Sequence, residues 1–379
     1  MDSWSFFDFL LLLGFLTAVT TAQRSRHYIV PPAHVRPTTA LVDPLLFPHH
    51  ISRRSLARLI GTHETDPDGD KVMEFLATYQ LIANNRTENE RTVPGGLHTG
   101  EQLTLQKASK LKHEPRYMWR CSKCSKTRHG QKGTGFSARL SILDQSFFSN
   151  TAMSARKVLQ LLHFWARNPH ADVDTAMEEL EIAKQTVTDW FNFIRDVCQE
   201  WVLRHQAAHK LGGVNKVVEI DESLFFKAKY NRGRALSTGT WVFGMVERRE
   251  NKKDPIKVRL FPVEQRNAAT LIPLIRDHVA PGTTVISDCW RAYGGISSIP
   301  GLHHLSVNHH VNFVDPETGA HTQTIESTWS HAKAGLKRMR GTSRALYPTY
   351  LYQFVFRQRF KERLFEHLLI AISEQYTLQ

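Results

Sequence analysis

Three carboxylates stand where acids do chemistry: Asp221, Asp288 and Glu326. Asp221 closes the apolar run Val217-Val218-Glu219-Ile220-Asp221. Asp288 closes Thr284-Val285-Ile286-Ser287-Asp288, which the turn pair Pro281-Gly282 introduces. Runs of this length beside turn residues predict buried strands. Glu326 opens a predicted helix in which Ile325, Trp329, Ala332 and Leu336 fall on one face, while Glu326, Ser330, Lys333 and Lys337 share another. Three acids gathered at two strand ends and a helix repel one another in a dry site unless they hold cations. Hard oxygen ligands suit Mg²⁺ or Mn²⁺. Two such ions about 4 Å apart clamp the attacking and leaving oxygens of an in-line phosphoryl displacement. Taken singly, each acid reads more readily as a strand cap or a solvated side chain, because exposed acids are the norm.

The wording around the acids carries more. Val218-Glu219-Ile220-Asp221-Glu222-Ser223, Ser287-Asp288-Cys289-Trp290-Arg291-Ala292-Tyr293 and Ile325-Glu326-Ser327-Thr328-Trp329 resemble, in order and context, the three blocks of the Merlin-type DDE transposases. These are eukaryotic relatives of a bacterial insertion-sequence group. The resemblance covers roughly 73–365 and is specific in the catalytic half. It implies an α/β, RNase H-like catalytic domain, with Asp221, Asp288 and Glu326 as ligands of two Mg²⁺ or Mn²⁺ ions. Members vary at the third position, so the resemblance specifies Glu326 less tightly than the two aspartates. Lys333, seven residues on, matches a basic residue that such enzymes place near DNA; Lys337 and Arg338 follow it.

The elements that must position these acids follow from pattern. Trp241–Val246, Val258–Val263 and His303–Val307 read as further strands, with hairpin turns at Gly239 and Arg248–Asp254. Thr270–Val279 reads as a helix with Pro273 in its first turn, where a missing N–H costs nothing. Three strands, helix, strand, helix, strand and then the Glu326 helix is the order of an RNase H-like sheet. The catalytic domain is therefore placed at 213–365, after the Leu211-Gly212-Gly213 boundary. Lys227, Lys229, Arg232 and Arg234 follow Asp221 and fit either a nucleic-acid path or a solvated loop. His309, His310 and His321 suit phosphate contact or a surface better than a hard-cation site.

Upstream, residues 151–210 read as a helical, helix-turn-helix-like DNA-binding region. Ala155–Ala166 stops at Asn168-Pro169. A short helix follows through Leu180, with Thr175 and Glu178 as a capping box, and Gln185–Val197 packs through Val187, Trp190, Phe191 and Ile194. Lys184, Gln185 and Thr186 stand at the entry end, where a recognition helix meets bases or phosphates; most such helix pairs only pack. Residues 71–140 form a degenerate zinc-ribbon-like basic region, which opens with a short helix over Met73–Ile82. From 107 to 139 it carries ten Lys and Arg against the single acid Glu114. Within it Arg120 precedes the Cys121-Ser122-Lys123-Cys124 knuckle and Lys123 lies inside it. A structural zinc needs four ligands. No cysteine precedes Cys121, and His98, His113 and His129 lack paired spacing, so a decayed ribbon that keeps its basic surface is the expectation.

Residues 24–70, rich in Pro, His, Arg and Asp, read as a linker. Residues 1–23 have the outline of a secretory signal, with the apolar core Phe9–Leu16 and the small-residue end Thr20-Thr21-Ala22. Asp2 and Asp8 replace the basic residues such a signal carries before its core. A true signal, a core helix and a captured upstream exon all remain readings of it. The captured exon fits best, because nothing downstream needs secretion. Residues 1–65 are thus expected to be dispensable for DNA binding. From Ala332 to Lys361 eight Lys and Arg, no acid and several interleaved aromatics suit phosphate on one side and core on the other. Leu364–Gln379 reads as a last amphipathic helix.

The whole chain fits this picture. Its 379 residues allow two or three domains, and a hydrophobic fraction of 41% allows ordinary cores. A net charge of +13 favours an anionic partner, nucleic acid first. One close cysteine pair and two singles, Cys198 and Cys289, exclude a disulfide framework. The expected partner is double-stranded DNA, as transposon ends and target, with a homo-oligomer on the DNA, no small-molecule substrate and a nuclear location. A domesticated DNA-binding protein without catalytic activity is one rival. A different RNase H-like nuclease, such as a resolvase or RNA-strand hydrolase, is the other.

Overall fold

A computed structural model describes residues 50–83, 103–120, 139–169, 171–225, 240–251, 253–308, 314–316, 319–339, 342–343 and 345–376. The chain divides into two compact units, 1–167 with 369–379, and 168–368. The division falls within 151–210.

The first unit begins with helix α1 (Arg53–Ile60), which lies inside the stretch expected to be a linker. Its signals are local. The Ser52 hydroxyl accepts the Ser55 N–H at 3.1 Å, and Leu56 and Ile60, four apart, go into the core. The polar sequence around these two residues hides so short an apolar face. Helix α2 (Asp70–Thr78) buries Val72, Met73, Phe75 and Leu76; it starts three residues earlier and stops four earlier than expected. The Asp66 carboxylate accepts the Asp70 and Lys71 N–H groups at 2.8 and 3.2 Å, so an acid set back from the helix caps it.

Strands β1 (Thr104–Lys107), β2 (Tyr117–Arg120) and β3 (Arg139–Ser141) form an antiparallel sheet in that order, with the Trp119 side chain fully buried. Helix α3 (Ala155–Arg167) carries Arg156 into this core, nearly as buried as its leucines. Its guanidinium pairs with Glu114 at 2.5 Å and Asp66 at 3.1 Å, and donates to the Ile60 carbonyl. One cation therefore ties the end of α1, the cap of α2 and the β1–β2 connection together.

The second unit opens with α4 (Val173–Leu180) and α5 (Lys184–Ala208). Asp172, rather than the expected Thr175–Glu178 box, caps α4: its carboxylate accepts the Thr175 N–H and hydroxyl, both at 2.8 Å. A carboxylate one residue before the helix meets the N-terminal dipole better than a hydroxyl inside the first turn. Glu181 takes the left-handed conformation (φ 52°) at the turn. Helix α5 runs eleven residues past the expected end, because Cys198 and Val202 continue its buried face.

Then come β4 (Leu211–Gly212), β5 (Val217–Leu224), β6 (Trp241–Glu247), β7 (Lys257–Val263), α6 (Ala268–His278), β8 (Val279–Ala280), β9 (Thr284–Asp288), a 3₁₀ helix (Arg291–Ser298) and β10 (His303–Val307). Helices α7 (Gln323–Arg338), α8 (Tyr347–Arg359) and α9 (Leu364–Gln375) follow, α9 passing into the first unit from Leu369. The main sheet has the order β10-β9-β5-β6-β7. β5, β6 and β7 form an antiparallel meander, while β9 runs parallel to β5 and β10 parallel to β9. Each parallel step needs a crossover: α6 supplies the first and the 3₁₀ helix the second.

Under one sheet face Val218, Ile220, Phe243, Met245 and Val285 pack on Leu271, Ile275, Tyr293 and Ile296. Helix α7 covers the other face, and α8 packs on β7 and α5, where Trp201 meets Phe356 edge-on with centroids 5.3 Å apart. The Asn267 side chain caps α6 through the Thr270 N–H at 3.0 Å. The helix therefore begins two residues earlier than expected, and Pro273 falls in its second turn. There the missing N–H leaves the Ala269 carbonyl without its helical donor.

Candidate functional site

The sheet register brings two of the acids together. β5 and β9 pair Val217 with Thr284 and Glu219 with Ile286. Carried two residues further, the same register sets Asp221 beside Asp288, on neighbouring strands about 4.8 Å apart. Both side chains emerge on the α7 face, because side chains alternate along a strand. Glu326 stands in the first turn of α7.

A row of side-chain bonds fixes α7 on β5. Glu219, wholly buried, accepts the Thr324 and Ile325 N–H groups at 2.8 and 3.0 Å and the Thr324 hydroxyl at 2.8 Å. It thereby caps α7, whose own N-cap residue Thr322 makes no capping bond. The Arg248 guanidinium balances its charge at 2.6 Å and also donates to the His321 carbonyl at 2.7 Å. Two residues along β5, Asp221 Oδ2 accepts the Trp329 indole N–H at 2.8 Å. Two further, Ser223 Oγ accepts Lys333 Nζ at 2.7 Å. Alternate strand residues rise about 6.8 Å and every fourth helix residue about 6 Å, so the two rows stay in step. Gly244, opposite Asp221 on β6, makes room: a Cβ there would lie 2.6 Å from Trp329 Cζ2.

The electrostatics report the convergence. Burial pushes the Asp221 carboxyl up to about 6. The Trp329 N–H works against that, and the charges of Asp288 and Glu326 add to it. On the opposite sheet face burial pushes Glu222 up to about 7, while its neighbour Tyr293 is raised well above the ordinary tyrosine range. Asp288 Oδ1 accepts the Trp290 backbone N–H at 3.0 Å, and Glu326 Oε1 accepts the Thr322 hydroxyl at 3.0 Å. The third acid is thus turned back along its helix. Among the described residues, no three His, Cys, Asp or Glu side chains close around one point as metal ligands do.

The remaining residues singled out in the sequence are spread more widely. Lys333 sits beside the acids, its ammonium 5.2 Å from the Phe225 ring centroid, and burial pulls its pKa down. Lys337 and Arg338 are exposed in the last turn of the same helix. Lys184 and Gln185 are exposed and Thr186 half-buried at the start of α5. Lys184 pairs with Asp174 at 3.0 Å and Gln185 bonds Asp189 at 2.8 Å. Arg120 ends β2 in the first unit. Cys121, Cys124, Lys123, His98 and His129 lie outside the described residues, as do Lys227, Lys229, Arg232, Arg234, His309 and His310. Glu219, Arg248 and Gly244 are the residues that sequence reasoning missed. The one available signal was a charged Glu inside an apolar strand, which demands a partner.

A five-stranded mixed sheet of this order, with paired aspartates on its two central strands and an acid-bearing helix across them, defines an RNase H-like domain of the DDE type. The sequence profile of the ISXO2-like transposase domain matches residues 210–359. An uncharacterized transposase-like protein of Haemophilus influenzae is 30% identical over 95 residues, which is 25% of this chain and 75% of that protein. The chain belongs to this transposase-like family. The male abnormal protein mab-31 of Caenorhabditis elegans is 24% identical over 315 residues, 80% of this chain and 67% of that protein. The pre-cleavage Mos1 transpososome structure aligns over 58% of this chain and 76% of its own at 12% identity and a TM-score of 0.24.

Proposed function

We propose that the chain is a DDE transposase, a polynucleotidyl transferase that cuts and joins DNA through Asp221, Asp288 and Glu326. The register that sets Asp221 beside Asp288 under the Glu326 helix carries this reading. An all-carboxylate donor set fits hard divalent cations, which would neutralise the buried charge of Asp221 and that of the acids near it. Bound Mg²⁺ or Mn²⁺ ions would activate the attacking oxygen and stabilise the leaving one. The protein supplies the rest. The Trp329 N–H aims Asp221, and the Trp290 N–H aims Asp288. Glu219 holds α7 down, which keeps Glu326 at the end of the helix nearest the two aspartates; to join them it turns away from Thr322. Lys333 stands where it can meet a phosphate once it leaves Ser223.

Lys337 and Arg338, the α5 entry residues Lys184, Gln185 and Thr186, and the basic stretch with Arg120 and Lys123 are assigned to phosphates and groove edges of double-stranded DNA. Pairing two transposon ends calls for a homo-oligomer, and a chromosomal substrate places the protein in the nucleus. Cys121 and Cys124 fill half of a zinc site, so less than one zinc per chain is expected.

The test is strand cleavage and joining of a supercoiled plasmid carrying the genomic DNA from either side of the gene, in Mg²⁺ or Mn²⁺. Asp288→Asn keeps shape and hydrogen bonding but removes a charge. It is expected to lower product formation by about three orders of magnitude or more while leaving DNA binding intact. Asp277→Asn is the control: Asp277 is exposed and pairs with its neighbour Arg276 at 3.0 Å. Unchanged activity in Asp288→Asn rejects the assignment. One observation favours a second reading, a domesticated DNA-binding protein: the match to mab-31 spans most of the chain. A parent protein that binds DNA but never cuts it supports that reading.

A further inference from the structure

Trp290 is a large aromatic side chain left at the surface, 43% exposed, in the turn that directly follows Asp288. Its position is fixed on several sides. Its backbone N–H donates to Asp288 Oδ1 at 3.0 Å, which ties it to that carboxylate. Its indole N–H donates to the Arg266 carbonyl at 3.3 Å, so the polar edge of the ring is already satisfied. The Arg266 guanidinium lies 5.3 Å from the Trp290 ring centroid and 3.6 Å from that of Trp241, a cation held between two indoles. What remains to solvent is apolar π surface whose orientation is locked before anything binds.

We propose that Trp290 is a stacking platform for an unpaired nucleobase next to the phosphodiester on which the acids act. The inference rests on the DNA-transferase reading and goes further, since it names the local state of the substrate. Bases within a duplex already stack on their neighbours, so the indole can engage only a base that has left the helix. Stacking is tolerant of sequence, because every base has a π face. The Arg266 cation behind the ring favours a strand whose phosphates run past it. The Trp241–Arg266 pair is then a positioning support that keeps the indole upright, while Trp290 itself touches the DNA.

Full-length protein is mixed with a blunt duplex and with a forked duplex whose six-nucleotide single-stranded arm carries 2-aminopurine. The parent is expected to quench the 2-aminopurine and to bind the fork more tightly than the blunt duplex. Trp290→Ala is expected to lose the quenching and about tenfold of affinity for the fork, with blunt-duplex affinity unchanged. Trp290→Phe, which keeps an aromatic face, is expected to retain most of both. Asp288→Asn is expected to quench as the parent does. Equal fork and blunt affinities in the parent, or unaltered quenching in Trp290→Ala, overturn the proposal; the latter is also the result if the indole serves a protein partner. Plasmid cleavage by the parent is scored in parallel. Cleavage without quenching rejects the stacking platform alone, whereas quenching without cleavage rejects the transferase reading alone.

Discussion

Asp221 shows how one residue records its surroundings. A carboxyl that titrates near 6 in the folded chain and near 3.9 in an unfolded one binds its proton more tightly when folded. Ionising it therefore costs stability. The cost is fully present above about pH 6 and is relieved as the pH falls from there towards 4. Asp221→Asn removes the charge but keeps an acceptor for the Trp329 N–H. It is expected to be more stable than the parent by about 3 kcal/mol at pH 7.5 and to match it near pH 4, as read by urea unfolding. Saturating Mg²⁺ is expected to reverse the order at pH 7.5 by stabilising only the parent. A variant no more stable than the parent at pH 7.5 would show that Asp221 carries no such strain. The residue itself was legible in the sequence as an acid ending an apolar run. Its perturbation was not, because that depends first on burial under the folded sheet and α7, and then on the charges of Asp288 and Glu326, which lie 67 and 105 positions away.

At the scale of elements, β5 and α7 behave as one part, and Glu219 is its fastening. Glu219→Ala leaves two N–H groups of the first turn of α7 and the Arg248 guanidinium without their buried acceptor. The expected loss is about 3 kcal/mol, a fall in Tm of roughly 10 °C, with strand transfer reduced further because Glu326 rides on the loosened helix. A Tm within a degree of the parent would mean that α7 docks without this cap. Gly244→Ala acts at the same seam, forcing Trp329 away from Asp221. The five main strands and the Glu326 helix were legible, because apolar runs and a one-sided helix face survive in any context. The three-stranded sheet around Trp119 was not: its strands are short, and residues 107–139 advertise charge rather than alternation. Trp329 shows the limit from the other side. Its spacing marks a packing face, which it occupies, but spacing says nothing of the N–H it gives to Asp221.

At the scale of the whole molecule, the first unit depends on its own N-terminal stretch. Residues 1–65 looked dispensable in sequence, yet α1 lies among them, and its Ile60 carbonyl is one of the acceptors of the buried Arg156. Deleting 1–65 removes that acceptor along with the Leu56 and Ile60 side chains, so the expected casualty is the stability of the first unit. Arg156→Ala makes the same point without shortening the chain. It strands Glu114, which is almost wholly buried, as an uncompensated charge and is expected to cost about 3–5 kcal/mol. The readout is limited proteolysis with the fragments identified by mass. The variant should be cut within 50–167 at a temperature where the parent resists, while 168–368, whose sheet holds the acids, stays protected. Simultaneous loss of both regions would mean that the two compact units unfold as one. Protection of both, with parental kinetics, would mean that Arg156 contributes nothing its neighbours cannot replace.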